Sequence, residues 1–354
     1  MRRPPGLTLI ADDLTGALDA ACAFATPDGP VRVTWHPARP RGPRIAHSTE
    51  GRDLPERAAM ARVAALAGAR CADRSARAAA PGHLWFKKLD SVMRGHPFAE
   101  VAAMGAPRLV LAPAFPSQGR ITQGGRQLVR GRPAGPPLAS GLRRRGLPAV
   151  RAARPGPGAR VVDATGQEDL ERACRAPGGT LWAGTGGLAE ALGRRLGVPS
   201  APVPAPRLGL FVFGTPHPAS AAQAEALRRA GLPERAMDGG VLADPGHPTL
   251  LTPDARARTA AQALARMAAS LRSLSGWAPR PCLVTGGATL VAFCEALGAE
   301  ALSVEGAWSP GVPLARLVVP HGTRGRAWHG TTVLAKSGGF GGADLGIRLL
   351  GPGG

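Results

Sequence analysis

One pattern recurs along this chain of 354 residues: a short, mostly apolar run, then a polar or glycine-rich turn, then an alanine- and leucine-rich stretch. The apolar runs lie at residues 7–11, 83–86, 109–112, 181–184 and 282–284. Short apolar runs that alternate with helical stretches predict parallel sheets covered by helices. We therefore expect an α/β fold with two domains, each a mostly parallel sheet flanked by helices.

The chain length and a proline-rich segment predict where the two domains meet. At roughly 150 residues per domain, 354 residues favour two domains over one. Residues 198–207 read VPSAPVPAPR, and alternate prolines favour an extended, semi-rigid linker. We place the domains at residues 1–205 and 206–354. A second stretch rich in Pro, Gly and Arg, residues 131–158, predicts a surface loop with a short helix near residues 138–145.

The chain is strongly basic, with 44 Lys and Arg against 24 Asp and Glu and a formal net charge of +20. Such a charge suggests an anionic partner, which could be nucleic acid, an acidic membrane or a phosphorylated substrate. Lysine occurs only at positions 87, 88 and 336, and the arginines are spread along the chain, which indicates a bias of composition. Aromatic residues make up 4%, too few for a platform that stacks bases. We therefore expect no nucleic-acid partner.

The same sequence predicts a cytoplasmic protein. No apolar run approaches the roughly 20 residues of a membrane span, so we expect no membrane partner. The apolar stretch at residues 7–11 ends at Asp12 and is too short for a signal peptide. The five cysteines are odd in number and lack a Cys-x-x-Cys pair, which indicates buried thiols in a reducing compartment. The histidines lack metal-ligand spacing, so we expect no metal ligands.

Two adjacent carboxylates, Asp12 and Asp13, follow the first predicted strand. In open α/β sheets, ligands bind outside the carboxyl ends of the strands. Carboxylates at this position could bind sugar hydroxyls, hold a metal ion or accept a proton. They could also serve as the N-cap of the next helix, because Asp13 lies two residues before Thr15. We expect one carboxylate to cap the helix and the other to function in the site.

Lys88, Asp90, Ser91 and Arg94 follow the predicted strand at residues 83–86. Lysine and arginine together can hold a carboxylate or a phosphate, and arginine can do so with two parallel bonds. The alternative is a solvated turn with an internal ion pair. Because two of the three lysines stand here, we favour a functional role, with Lys88 preferred over Lys87.

Three further loops carry weaker signals. Residues 115–120 read FPSQGR, a proline-stiffened loop with polar groups that could bind hydroxyls. Residues 285–289 (TGGAT) lie between a predicted strand and a helix, where glycines and a helix N-terminus favour a phosphate. Residues 336–342 (KSGGFGG) form a second glycine loop. Neither glycine loop fits the P-loop or the G-x-G-x-x-G pattern, but together they suggest a nucleotide site.

Taken in order, these segments resemble the four-carbon acid sugar kinases. IADDLTGA at residues 10–17 is similar to the opening signature of that family, and KKLDSVMRG at residues 87–95 resembles its K-K-x-D-S-T-L-R-G motif. APAFPSQGRIT at residues 112–122 resembles A-P-A-F-P-x-Q-G-R-x-T. The remaining segments are STEGR at 48–52, LWAGTGGLA at 181–189, TGGAT at 285–289, PGVP at 310–313 and KSGGFG at 336–341.

The resemblance implies a two-domain α/β fold in which the N-terminal domain binds an acid sugar and the C-terminal domain binds ATP. It implies phosphoryl transfer from ATP to the terminal hydroxyl of threonate, erythronate or a 3-oxo-tetronate. The chain departs from the family pattern at Val92 and Met93, where the family has Thr-Leu, and at His217, where it has Ser or Thr. The segment from residue 130 to residue 150 is shorter than in the family and rich in arginine.

From the motifs and the resemblance, we assign roles to particular residues. The predicted catalytic residues are Asp12, Asp13 and Arg94. The predicted substrate-binding residues are Arg52, Lys88, Asp90, Ser91, Gln118, Gly119 and Arg120. The predicted cofactor-binding residues are Thr215, His217, Gly286, Gly287, Ala288, Thr289, Gly311, Lys336, Ser337, Gly338 and Gly339.

The expected cofactors are ATP and Mg²⁺, with the metal arriving on the nucleotide, and the expected partners are the acid sugar and ATP. A homodimer is a reasonable expectation for a metabolic enzyme. Two alternatives stay open at this point. One is a catalytically degenerate family member that binds a sugar acid or a nucleotide, and the other is a basic protein that binds anions or nucleic acid.

Overall fold

The computed structural model describes residues 6–35, 42–71, 83–151, 158–175, 179–198 and 202–350. The chain divides into two compact units, unit 1 (Met1–Ser200) and unit 2 (Ala201–Gly354). The junction lies in the proline-rich segment, and its residues 202–207 form neither helix nor strand. Among the described residues, no helix combines the length and the apolar character that a membrane span requires.

Unit 1 alternates strands and helices along the chain. Its elements are β1 (Leu7–Ala11), α1 (Leu14–Cys22), β2 (Val31–Thr34), β3 (Arg44–Ser48), α2 (Glu56–Cys71), β4 (Leu84–Lys88), α3 (Pro97–Ala103), β5 (Arg108–Ala112), β6 (Arg120–Gln123), β7 (Arg126–Val129), β8 (Arg132–Pro133), α4 (Leu138–Arg143), β9 (Ala149–Arg151), β10 (Gly158–Val161), α5 (Gln167–Ala173), β11 (Leu181–Gly184) and α6 (Gly186–Arg195).

The main sheet of unit 1 has the strand order β2-β3-β1-β4-β11-β5-β10-β9, and neighbouring strands run parallel. All five residues of β1 are buried, as expected for a strand that is covered on both faces. From β1 the chain passes to β2 and β3 on one side, and then to β4 on the other side. This reversal places a crevice beyond the carboxyl ends of β1 and β4, where open α/β sheets bind ligands.

The segment at residues 131–158, predicted to be a surface loop, contains regular structure. Helix α4 lies close to the predicted helix, but Leu138 and Leu142 are fully buried in the core of unit 1. Their spacing of four residues places them on one helix face, so both pack inward. Strands β6, β7 and β8 form a separate antiparallel sheet. The predicted short helix is therefore present, but the prediction that it belongs to a surface loop was wrong, because Leu138 and Leu142 are core residues within a segment rich in Pro, Gly and Arg.

Unit 2 repeats the same alternation and ends with an antiparallel edge. Its elements are β12 (Leu210–Phe213), α7 (Pro218–Arg229), β13 (Glu234–Met237), β14 (Thr249–Pro253), α8 (Ala260–Leu271), β15 (Cys282–Thr285), α9 (Gly287–Ala296), β16 (Ala301–Ser309), β17 (Val312–Val318), β18 (Thr332–Lys336) and α10 (Leu345–Leu350).

The sheet of unit 2 has the strand order β13-β14-β12-β15-β18-β17-β16. The pairs from β13 to β18 are parallel, whereas β17 pairs antiparallel with both β18 and β16. The order reverses between β12 and β15, so the crevice beyond their carboxyl ends is again a ligand position. The expected α/β fold, with a mostly parallel sheet and flanking helices in each unit, is confirmed.

Candidate functional site

The crevice of unit 1 brings together charged residues from separate strand ends. Asp12 and Asp13 follow β1, Arg52 comes from the loop after β3, and Lys88 closes β4. The backbone ties the first two loops together, since the amide of Gly51 donates to the carbonyl of Asp12 at 2.9 Å. Three stretches that are far apart in sequence therefore meet at one edge of the sheet.

Arg52 forms the centre of this cluster. Its guanidinium donates to both oxygens of Asp12, from Nε at 2.8 Å and from Nη2 at 2.9 Å. It also donates to both oxygens of Asp13, from Nη1 at 2.9 Å and from Nη2 at 2.8 Å. An arginine has five N–H donors, so four of them are engaged with these two carboxylates. This geometry orders the acidic pair, and a direct contact of Arg52 with the substrate stays a prediction.

The two aspartates differ in what else they do. Asp13 is the N-cap of α1, because its side chain accepts from the amide of Gly16 at 3.0 Å, and it also accepts from the hydroxyl of Thr15 at 2.8 Å. A Cβ atom at Gly16 would overlap the Asp13 carboxylate, so the cap requires glycine there. Burial alone would raise the pKa of Asp12, but the hydrogen bonds and the charge of Arg52 lower it below its usual value.

The loop after β4 is held by a second ion pair. Asp90 accepts from the amides of Val92 at 2.9 Å and Arg94 at 3.2 Å, and from the Arg94 guanidinium at 2.6 and 3.1 Å. Burial opposes ionisation, but the bonds from Arg94 and the charge of Arg52 hold the pKa of Asp90 well below its usual range. The Arg94 side chain is 63% exposed, so it lies at the open side of the crevice.

Two non-glycine residues in these loops have left-handed backbone conformations. Glu50 has φ of +45° and precedes the Gly51–Arg52 turn, and Met93 has φ of +62° and precedes Arg94. Such conformations cost about 1–3 kcal/mol each and persist where the surroundings enforce them. Met93 is one of the positions at which the chain departs from the family pattern.

Ser91 and Arg120 are adjacent, as expected for two substrate-loop residues. The guanidinium of Arg120 donates to the Ser91 hydroxyl, and the Gln127 amide donates to the Ser91 carbonyl at 3.0 Å. Burial lowers the pKa of Arg120. Gln118 ends a short 3-10 helix and is half-buried, and Gly119 follows it in the left-handed region with φ of +66°. This loop thus lies beside the Lys88–Arg94 loop, linked through Arg120.

The two adjacent lysines have different environments. Lys87 is fully buried and pairs with the equally buried Glu100 at 2.7 Å, so it belongs to the core. Lys88 is 6% exposed, and its ammonium donates to the carbonyl of Leu89 at 2.9 Å. Within the described residues Lys88 has no ion-pair partner, which leaves two of its three N–H donors without a protein acceptor.

The sequence did not single out Asp19, which the structure also places at this crevice. Asp19 lies on α1, three residues after Gly16 and thus on the same helix face. Its Oδ2 atom is 2.8 Å from the position that a Cβ atom on Gly186 would occupy, at the first residue of α6. The helical spacing from Asp13 and Gly16 is a signal that could have found it.

In unit 2, glycines bring three strand-end loops into close contact. Gly214 follows β12, and a Cβ atom there would overlap the Thr289 hydroxyl. Gly286 follows β15 with φ of +95°, and its Cβ position is 3.3 Å from the side chains of Thr215 and Thr289. Gly338 follows β18, and its Cβ position is 2.7 Å from the Thr215 hydroxyl. Backbone groups therefore line this crevice, as phosphate-binding loops require.

The remaining predicted cofactor residues surround these glycines. Gly287 and Ala288 begin α9, whose N-terminus carries no side-chain cap. Ser337 and Gly339 flank Gly338 in the loop after β18. Gly311 lies in the turn between β16 and β17. A side chain at Gly311 would overlap the ring of Phe340, which belongs to the loop after β18. The structure thus gathers the predicted set of unit 2 around β12, β15 and β18.

Lys336 is buried in unit 2 and stabilises the glycine loop that follows β18. It is 1% exposed, and its ammonium donates to the Ser220 hydroxyl at 3.0 Å and to the carbonyl of Ser337 at 3.1 Å. Ser220 in turn donates to the carbonyl of Gly338 at 2.9 Å. Burial lowers the pKa of Lys336 to about 8. Its bonds shape the loop, and a direct contact with a phosphate stays a prediction.

His217 is the N-cap of α7. Its Nδ1 atom accepts from the amide of Ala219 at 3.2 Å, which is the bond that a Ser or Thr hydroxyl makes at such a position. The amide of His217 points back to the Thr215 hydroxyl at 3.4 Å. The departure from the family pattern therefore preserves the cap while placing an exposed imidazole beside Gly339, 3.2 Å from its Cβ position.

A cavity of about 1180 Å³ opens beside these loops within unit 2. Gly214, Thr215 and Thr289 line one side of it, and the segment from Thr252 to Thr259 lines the other. Asp254 in that segment accepts from the guanidinium of Arg256 at 3.0 Å, and the bonds from Arg256 contribute to lowering its pKa to about 2. This segment was not predicted from the sequence, although it is a polar cluster directly after an apolar strand, as Asp12 and Asp13 are after the first strand.

The fold and the two crevices define a two-unit α/β protein with one charged and one glycine-lined ligand site. The chain matches the sugar-binding N-terminal domain family over residues 7–146 and the nucleotide-binding C-terminal domain family over residues 249–345. It is 31% identical to the D-threonate kinase of Cupriavidus necator, over 94% of each chain. The chain belongs to the four-carbon acid sugar kinase family.

Two further comparisons agree. The D-threonate kinase of Bordetella bronchiseptica is 30% identical over 97% of this chain and 96% of its own. The crystal structure of Haemophilus influenzae protein HI1011 matches with a TM-score of 0.67 at 17% identity, covering 98% of this chain and 99% of that one. The structural likeness concerns the fold alone.

Proposed function

We propose that this protein is an ATP-dependent kinase that phosphorylates the terminal hydroxyl of a four-carbon acid sugar. The observation that carries the proposal is the match to D-threonate kinases along nearly the whole of each chain. D-threonate is the first substrate to test, and erythronate and 3-oxo-tetronates follow from the family resemblance.

The crevice of unit 1 supports an anionic, hydroxylated substrate. The buried ammonium of Lys88 has free donors, and the exposed guanidinium of Arg94 stands at the mouth. Cations of this kind suit a carboxylate, while carboxylates and hydroxyls such as that of Ser91 suit sugar hydroxyls. In this role Arg52 holds Asp12 and Asp13 in place, and Asp12 orients the attacking hydroxyl from its fixed position.

The crevice of unit 2 supports a nucleotide. A bound phosphate chain would take the backbone amides of the Gly286 and Gly338 loops, where side chains are excluded by contact with Thr215. The N-terminus of α9 adds favourable dipoles toward an anion. The adjacent cavity of about 1180 Å³ lies at the upper end of the sizes that hold small ligands, and we assign it to the nucleoside.

Magnesium would be held mainly by the nucleotide. Within the described residues, no group of three or more His, Cys, Asp and Glu side chains is arranged to bind a metal ion. Mg²⁺ commonly binds through substrate phosphates and one or two carboxylates. When bound, it would neutralise charge on the transferring phosphoryl group, while the residues of this chain position the two substrates.

The test is ADP release with MgATP and each of four acids: D-threonate, L-threonate, D-erythronate and a 3-oxo-tetronate. We expect turnover that needs both MgATP and one acid, with strong preference for a single stereochemistry. Omission of ATP, and its replacement by GTP, test the identity of the phosphoryl donor. Absence of ADP release with every acid, from a folded protein whose melting temperature rises with MgATP, would contradict the proposed substrate class.

A further inference from the structure

The polar groups of the unit 1 crevice fall into two sets. In the first set, every carboxylate oxygen already has a partner: those of Asp12 and Asp13 accept from Arg52, and those of Asp90 accept from backbone amides and Arg94. These hydrogen bonds fix the positions of the carboxylates before any ligand binds. This first set forms the framework of the crevice.

The second set consists of charged groups that have polar atoms without a hydrogen-bond partner among the described residues. Lys88 makes one hydrogen bond, to the carbonyl of Leu89, although its ammonium is buried. Asp19 is half-buried and forms no hydrogen bond or ion pair with any residue in the described part of the chain. Groups of this kind are costly to bury without partners, so they mark the position where a ligand supplies them.

The position of Asp19 is fixed by close packing. Its Oδ2 atom and the ring of Phe115 both occupy space that any side chain at Gly186 would need, with Oδ2 at 2.8 Å from that Cβ position. On α1, Asp19 shares a face with Gly16, whose Cβ position is 3.4 Å from Nζ of Lys88. The free carboxylate and the free ammonium therefore border the same part of the crevice.

We propose that Asp19 contacts the acid sugar directly, its carboxylate accepting a hydrogen bond from a sugar hydroxyl while Lys88 donates to the same molecule. The inference rests on the proposed function and adds a substrate-binding residue to it. Each oxygen of Asp12 and Asp90 already accepts a hydrogen bond from the protein, whereas the carboxylate of Asp19 accepts none within the described residues. A hydrogen bond to a charged acceptor is roughly twice as strong as one between neutral groups, so this contact should contribute to the affinity for the acid sugar.

The charges around Asp19 make its role visible in a pH profile. It faces Asp13 on its own segment, Lys88 at the end of β4, Arg120 on β6 and Glu190 on α6. Burial raises the pKa of Asp19, with Lys88 and Arg120 opposing and Asp13 adding to the rise. Burial likewise raises the pKa of Glu190 to about 7, and Asp19 contributes to that rise. Because the bond needs the ionised form, it weakens as pH falls.

The experiment measures the acid-sugar KM at saturating MgATP between pH 5 and 8 for the native chain and three variants. For the native protein, KM should rise as pH falls. Asp19→Asn should raise KM about tenfold at pH 7.5, because a neutral amide replaces the charged acceptor, and its KM should vary less with pH. Glu190→Gln should leave the native rise in KM in place, because the Asp19 charge contributes to raising the pKa of Glu190 to about 7 and Glu190 is therefore neutral where Asp19 titrates. Glu168→Gln, an exposed residue on α5, is the matched control.

The outcomes separate this inference from the proposed function. If the native protein turns over an acid but Asp19→Asn has the native KM and pH profile, the inference fails and the proposed function stands. If the native protein binds MgATP and turns over no acid, both fail. Should Asp19→Asn not fold, as judged by the loss of its MgATP thermal shift, Glu190→Gln decides: loss of the native pH dependence in this variant would assign that dependence to Glu190 and overturn the contact.

Discussion

In unit 1 the first four strands lie in the order β2-β3-β1-β4, and in unit 2 the corresponding strands lie in the order β13-β14-β12-β15. Each unit therefore places a crevice beyond its first and fourth strands. The loop after β1 is Asp12-Asp13, whereas the loop after β12 begins with Gly214-Thr215. The same path of the backbone thus presents charged side chains in one unit and bare backbone in the other.

The two crevices are held in place in different ways. In unit 1 the charges hold one another, since Arg52 binds two carboxylates and Arg94 binds Asp90. In unit 2 a single buried cation, Lys336, holds the glycine loop through Ser220 and two backbone carbonyls. A site that recognises hydroxyls and a carboxylate requires oriented side chains, while a site for phosphates requires exposed amides and absent side chains.

The largest effect should come from the centre of the unit 1 network. Arg52→Met leaves Asp12 and Asp13 close together without their shared partner, so we expect a loss of about 3–5 kcal/mol in the free energy of unfolding at pH 7. Urea denaturation measures it. Because Arg52 lowers the pKa of Asp12, the stability from this pair is present at neutral pH and is lost as pH falls below about 4. The deficit of the variant should shrink over the same range.

Arg145→Met is a suitable control, because Arg145 pairs with Glu56 on the exposed surface of the same unit. An exposed pair contributes about 1 kcal/mol or less, so this variant should lie close to the native protein. Equal losses from the two arginine variants would show that the network around Arg52 is not what stabilises the crevice.

Lys336 in unit 2 should also make stability rise with pH, but in an alkaline window. Its pKa falls to about 8 in the folded protein, so between pH 8 and about 10.5 the unfolded chain binds more protons than the folded one. Stability from this group therefore rises with pH across that window, by about 3 kcal/mol in total. Lys336→Met should lack this rise, which denaturation curves at pH 8 and pH 10 would reveal. An identical pH dependence in native and variant proteins would place the ammonium in solvent.

Much of the fold can be predicted from the sequence, because several of the buried parallel strands are short apolar runs followed by a polar turn. The strands at residues 7–11 and 282–285 are of this kind, and the residues directly after them line the two crevices. The sequence also locates Asp13 as a cap, since the bond to Gly16 spans only three residues. Features that depend only on residues close together in sequence can therefore be predicted from the sequence.

The parts that could not be read depend on packing between distant segments. Lys87 and Lys88 are neighbours in sequence, and only the position of Glu100 on α3 assigns Lys87 to the core. Asp19 reaches the crevice because α1 lies against α6, and a single helix gives no sign of that contact. Arg52 was expected at the substrate, but its two acceptors lie some 40 residues away in sequence.

One glycine substitution in each unit tests whether the two crevices bind different substrates. Gly16→Ala would disturb the Asp13 cap in unit 1, and Gly338→Ala would press on the Thr215 hydroxyl in unit 2 at 2.7 Å. If the crevices bind different substrates, the first variant should raise the KM of the acid about tenfold and the second should raise the KM of ATP about tenfold. Each should leave the other KM within about twofold.

Steady-state kinetics with each substrate varied in turn provides the measurement. Gly68→Ala is the matched control, because Gly68 is exposed on α2 and its Cβ position has no atom within 4 Å. It should leave both constants unchanged and stabilise the helix by about 0.5–1 kcal/mol. If both crevice variants raised both constants equally, the assignment of one substrate to each unit would be wrong.

The smallest expected effect concerns His217, where unit 2 departs from the family pattern. The imidazole already caps α7 through Nδ1, so His217→Ser exchanges one acceptor for another and should change the free energy of unfolding by less than about 1 kcal/mol. His217→Ala removes the acceptor and should cost about 1 kcal/mol at pH 8. Denaturation curves of the two variants provide the measurement. Equal losses from His217→Ser and His217→Ala would mean that the ring stabilises α7 by packing against the Gly339 loop and not by capping it.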